Sequence, residues 1–181
     1  MSKIGQKPVI IPDSVVVDIV EGKVTAKGKE GTLSVLLPLG ITAKKEQNTV
    51  LVERANNSKF QKSLHGLFRS LIANAVAGVE TPWEKKLEVA GTGFNVKMQG
   101  EDLVFKVGYN HPVIFKKVEG VKYAVEGNTK VQVTSIDKQL VGEIAYKIKM
   151  IRKPDVYKGK GIKYEGEKLR IKPGKKAKTT A

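Results

Sequence analysis

Apolar and polar positions alternate through the first part of this chain and then change period. Val15–Val20, Lys23–Lys27, Thr32–Leu37 and Thr49–Arg54 are rich in β-branched residues and are set apart by Gly, Pro or Asn, so they are expected to be strands. Lys23-Val24-Thr25-Ala26-Lys27 alternates as a half-buried strand does. Phe60, Leu64, Leu67, Phe68, Leu71, Ile72, Ala75, Val76 and Val79 then recur at helical spacing and predict one long amphipathic helix. Ser58 with Gln61 three residues later fits a capping box at its start, and Gly78 with Pro82 is expected to mark its end.

The rest of the chain repeats the plan. Leu87–Ala90, Phe94–Met98, Leu103–Val107, Val113–Lys117, Tyr123–Glu126 and Lys130–Thr134 are expected strands, with turn residues at Gly100-Glu101-Asp102 and Gly127-Asn128. A second helix is expected from an N-cap at Asp137 through Leu140, Ile144, Ile148 and Ile151 to a stop at Pro154. Leu64, Gly66, Phe68 and Ile72 match Leu140, Gly142, Ile144 and Ile148 at a constant offset of 76. The shared order of strands closed by one helix points to a duplicated unit. The expected fold class is therefore α+β, with two tandem duplicated small domains, each an antiparallel sheet packed on one helix, and a basic C-terminal tail. The boundaries follow as residues 1–81, 82–151 and 152–181.

Charge changes the picture at the tail. The chain carries 33 Lys and Arg against 18 Asp and Glu, a net of +15. Residues 152–181 hold 11 basic side chains against 3 acidic ones, more than half of the excess. Such an imbalance concerns partners rather than fold, and a polyanion is the first to consider. No run is apolar for long enough to span a bilayer, and Met1–Pro8 has no apolar core of signal-peptide type, so a cytosolic protein without a membrane partner is expected.

Candidate chemistry is sparse. With no cysteine, disulfides, thiolate metal sites and cysteine nucleophiles are excluded. His65 and His111 lie far apart and read as ordinary polar or partly buried positions. Gly91-Thr92-Gly93 follows a strand, but Val96 stands where a dinucleotide loop needs its third glycine and a strand follows, so a bulge or close backbone approach is the better reading. No enzyme, cofactor, metal site or small-molecule substrate is expected.

After the second helix, basic, glycine and aromatic residues interleave: Arg152, Lys153, Tyr157, Lys158, Gly159, Lys160, Gly161, Lys163 and Tyr164. Lysine supplies charge to phosphates, glycine lets the backbone approach one, and tyrosine can stack on an unpaired base. The run continues through Lys168, Arg170, Lys172, Lys175, Lys176 and Lys178. Fully extended at about 3.3 Å per residue, such a segment would reach on the order of 100 Å between RNA helices. All of these except Lys178 are taken as the RNA-contacting set. Two readings share them: a structural RNA-binding protein with a specific site, or a general nucleic-acid binder of the RNA-chaperone kind.

The stretch Pro154-Asp155-Val156-Tyr157-Lys158-Gly159-Lys160-Gly161-Ile162 resembles the C-terminal signature of the bacterial-type family of ribosomal protein L six. Ser2–Pro8, Leu64-His65-Gly66, Glu84-Lys85-Lys86-Leu87, Gly91-Thr92-Gly93-Phe94, Gly108–Val113 and Ile136-Asp137-Lys138-Gln139 are similar to that family in the same order. Phe94 stands where the family usually has Tyr, and Val156 where it usually has Pro. The resemblance implies a two-domain, duplicated α+β protein and a structural constituent of the large ribosomal subunit in the cytoplasm. It implies binding to 23S ribosomal RNA near the base of the factor-binding stalk, the subunit interface and the sarcin–ricin loop, with neighbouring ribosomal proteins as further partners. Among the signature positions it assigns RNA contact to Tyr157, Lys158, Gly159, Lys160, Gly161 and Lys163.

Overall fold

In the first part of the chain the alternating segments pair as strands, and the helical stripe closes over them. The structure, a computed structural model, describes residues 3–174. These described residues fall into two packing units: one runs to Trp83 and takes in Ser135–Lys138, and the other takes Glu84–Thr134 and the described residues from Gln139 onward.

The first unit contains β1 (Val9–Ile10), β2 (Val16–Val20), β3 (Lys23–Gly28), β4 (Gly31–Leu36), β5 (Ile41–Glu46), β6 (Thr49–Arg54) and α1 (Lys59–Glu80). These strands form two antiparallel sheets rather than one, ordered β1-β6-β5 and β2-β3-β4. The helix buries Ile72, Val76 and Val79 against Val17, Val24, Ala26, Val50 and Val52. Ile136, from the segment that returns to this unit, packs on the same core. Strand β5 carries no alternating apolar pattern: only Ile41 is buried and its lysines face solvent. Its place is set by pairing with β6, a long-range fact that periodicity does not register.

Helix α1 starts as expected at Ser58, whose hydroxyl accepts from the Gln61 N–H. The reciprocal half of the capping box is absent. The Ser58 N–H donates instead to Asn56 Oδ1, and the Gln61 amide donates to the Leu39 carbonyl. Gly78 is not the stop. It is a buried residue inside the helix, where a Cβ would collide with the Ile136 carbonyl oxygen, and the helix runs on to Glu80.

The second unit contains, apart from their end residues Trp83, Ser135 and Lys138, β7 (Trp83–Ala90), β8 (Asn95–Gln99), β9 (Asp102–Lys106), β10 (Val113–Phe115), β11 (Lys122–Glu126), β12 (Lys130–Ser135), α2 (Lys138–Ile151) and β13 (Gly161–Tyr164). Its sheets are ordered β10-β9-β8 and β11-β12-β7-β13. Leu87, Val96, Leu103, Phe105, Val131, Val133 and Ile148 are completely enclosed. Two of the four matched helix pairs behave alike, Ile72 and Ile148 fully buried and Leu64 and Leu140 partly so, whereas Phe68 is half-buried where Ile144 is buried and Gly66 half-buried where Gly142 is exposed. Gly91 and Gly108 flank the Phe94 ring, where a Cβ on either would come within 3 Å of it, which makes the Gly91-Thr92-Gly93 turn a close-packing device.

One expectation is corrected. Among the described residues the chain beyond α2 does not run on as an extended arm, because Gly161–Tyr164 pairs antiparallel with β7, placing Ile162 against Val89 at 0% exposure. Apolar burial of that residue outweighs the charge repulsion that would favour extension.

Candidate nucleic-acid interface

The segment between α2 and β13 is built from its own backbone hydrogen bonds. Helix α2 ends at Ile151, whose carbonyl accepts from the Tyr109 hydroxyl at 2.9 Å. Arg152 then lies over the Tyr109 ring, its guanidinium carbon 5.0 Å from the centroid. A return bond from the Ile162 N–H to the Arg152 carbonyl closes the base of the loop.

Asp155 organises what lies between. Its carboxylate accepts from the backbone N–H of Lys158 at 2.8 Å and of Tyr157 at 3.3 Å. Its own N–H donates to the Lys160 carbonyl, and its carbonyl accepts from the Gly159 N–H. The chain beyond β13 seals the side of the loop, with the Lys172 N–H donating to the Val156 carbonyl.

The two glycines shape this closure. Gly159 is buried at φ +68, and its N–H is already spent on Asp155. Gly161 is buried at φ +149, with a virtual Cβ 2.7 Å from the Lys153 carbonyl oxygen and the Pro154 backbone. At both positions glycine's freedom is used to pack the chain on itself.

The expected cations divide into two groups. Lys163 is committed to Glu88 across the β13–β7 pair at 3.0 Å. Tyr164 is likewise engaged, with the Lys149 and Lys85 ammonium groups 4.5 and 4.9 Å from its ring centroid. Lys149 also pairs with Glu167 at 2.6 Å, and Glu167 accepts from the Tyr164 N–H, so these four residues brace β13. Those hydrogen bonds, the Lys149 one first, hold the Glu167 carboxyl below its ordinary pKa. In contrast, Lys153, Lys158, Lys168, Arg170 and Lys172 are exposed, Lys160 is half-buried, and none forms an ion pair among the described residues. Tyr157 stands among them at 57% exposure, beside exposed Val156 and Ile171. Lys175 and Lys176 lie outside the described residues.

Asp155, Glu167 and Tyr109 do not belong to the RNA-contacting set expected from the sequence. Asp155 has a local signal, an Asp followed by a glycine-containing turn. The other two act through long-range interactions.

The histidines are structural or solvated. His65 is buried with both ring nitrogens in use: Nε2 donates to the Val52 carbonyl at 2.7 Å, which leaves Nδ1 to accept from Arg54 at 2.9 Å. It borders an open hollow of about 360 Å³ shared with Glu53 and Asn57. His111 is exposed in a loop. No described helix is long and apolar enough to cross a membrane.

The family model for Ribosomal protein L6 matches the chain twice, over residues 11–81 and 90–165. The second match ends just past β13 and so takes in the closed loop. Among curated proteins, the chain is 50% identical over 179 residues to the "Large ribosomal subunit protein uL6" of Clostridioides difficile, covering 98% of this chain and 99% of that one. It is 47% identical over 175 residues to the protein of that name from Syntrophomonas wolfei, covering 97% and 98%. With the one from Natranaerobius thermophilus the identity is 47% over 178 residues, covering 98% and 100%.

Proposed function

Because the chain belongs to the ribosomal protein L6 family, we propose that it is a non-enzymatic structural constituent of the large subunit of the cytoplasmic ribosome, held there by 23S ribosomal RNA. The observation that supports an RNA anchor is the folded loop after α2. The loop and the chain after β13 present Lys153, Lys158, Lys168, Arg170 and Lys172 to solvent without acidic partners among the described residues, with Tyr157 exposed in the loop. Phosphates supply the charge these groups lack, and an unpaired base or ribose suits the tyrosine ring. A loop already closed by hydrogen bonds loses less entropy on binding than an extended arm. Neighbouring large-subunit proteins are further partners, and the proposed position is near the base of the factor-binding stalk and the subunit interface.

The test is a titration of the purified chain against large-subunit ribosomal RNA and against random RNA of equal length at matched salt. Specific anchoring predicts an affinity for the ribosomal RNA at least about a thousandfold higher, the lower end of the range of specific over non-specific binding known for DNA readers. Equal affinities, with a salt slope that accounts for nearly all the binding, would instead make the chain a general nucleic-acid binder.

A further inference from the structure

We propose that Asp155 is a positioning residue for RNA binding: its carboxylate, the one negative charge between Arg152 and Tyr164, fixes the loop that presents Lys158 and Tyr157. The proposal rests on the reading of that loop as an RNA-binding surface.

Charge alone argues against an acidic residue here. Asp155 is exposed and sits among Lys153, Lys158 and Lys160, facing a polyanion that it repels. Removing it should therefore tighten binding if charge were all that mattered. The geometry assigns it a compensating task. One carboxylate oxygen, Oδ2, receives the N–H groups of both Tyr157 and Lys158. The backbone of the same residue bonds forward to Gly159 and Lys160. Four hydrogen bonds from one residue thus set the path of the chain that carries two of the exposed candidates for RNA contact. A carboxylate suits the position because charge-assisted bonds to backbone N–H groups are about twice as strong as neutral ones. Val156 adds to the need, since it leaves free a backbone angle that proline would fix.

Three full-length proteins decide the matter: the natural chain, Asp155→Ala and Asp155→Asn. Asparagine removes the charge but keeps an oxygen that can occupy the Oδ2 position, whereas alanine removes both. Affinity for large-subunit ribosomal RNA and for random RNA is measured at matched salt, alongside amide hydrogen exchange at Tyr157 and Lys158. Positioning predicts that Asp155→Ala loses about tenfold in affinity for the ribosomal RNA but none for random RNA, with faster exchange at both amides. Asp155→Asn should recover most of the loss. If alanine and asparagine both bind the ribosomal RNA more tightly than the natural chain, charge repulsion is the whole effect and the proposal is overturned. Equal losses in both variants overturn it too, since the retained oxygen would then be doing nothing. A general drop in stability does not obscure the result, because it lowers binding to both RNAs together, which also counts against positioning. Failure of the underlying RNA reading is distinguishable, because it appears as no preference between the two RNAs in the natural chain.

Discussion

Gly161 shows how much the loop owes to a missing side chain. Any Cβ there meets the Lys153 carbonyl oxygen and the Pro154 backbone at 2.7 Å, and the residue holds φ +149. Backbone cannot swing away as a flexible side chain can. Gly161→Ala is expected to cost roughly 2 kcal/mol or more, read as a lower denaturant midpoint of the second unit. Glu167 makes a prediction of the opposite kind. Its folded pKa is lowered, so its contribution to stability is complete above the ordinary glutamate value of about 4.3 and is lost as pH falls through the lower folded value. Glu167→Gln should therefore melt below the natural chain at neutral pH, with the difference shrinking below about pH 4. A pH-independent difference would show that shape rather than charge holds the brace. At this scale the sequence displays the right residues without their assignments. Lysine and glycine alternate visibly in 158–161, but an open glycine and a glycine packed on its own backbone look the same in one dimension. Nor does the sequence show that Glu88 pairs with Lys163, or that Lys85 and Lys149 lie over the Tyr164 ring.

Among the elements, β13 carries the main departure from the sequence reading. Its four residues are GIKY, too short a run to announce a strand, and only pairing with β7 makes them one. Because Ile162 is fully enclosed, Ile162→Ala should cost about 2–5 kcal/mol. Truncation before Gly161 should lower the melting temperature of the second unit for the same reason. A truncated chain with an unchanged melt would mean that the last strand is dispensable. The two helices, by contrast, are legible almost throughout, since a long run of helical spacing overdetermines its face. Strand β5 is not, for want of buried side chains, and β1 is a two-residue pairing that leaves no periodic trace. The splitting of each expected sheet into two is likewise a matter of pairing, which alternation along single strands does not specify.

At the scale of the whole molecule, the duplicated plan read from the 76-residue offset agrees with the double match to the ribosomal protein L6 family. Charge bias is equally plain, because it needs only counting. Counting does not separate cations already neutralised from those left over. The leftover set makes a quantitative claim. Removing one phosphate-bound cation should flatten the salt dependence of RNA binding by roughly 0.7–0.9 in log–log slope, so Lys158→Ala with Lys160→Ala should lower it by about 1.5. An unchanged slope would show that neither lysine touches a phosphate.

The most direct measurement is sedimentation of the tagged chain in cell extract after a high-salt wash. Specific anchoring predicts that it stays with the large-subunit peak through a wash that strips loosely bound basic proteins, and that the Lys158→Ala, Lys160→Ala variant is released at lower salt. Recovery of the natural chain at the top of the gradient, or spread over all RNA-containing fractions alike, would contradict it.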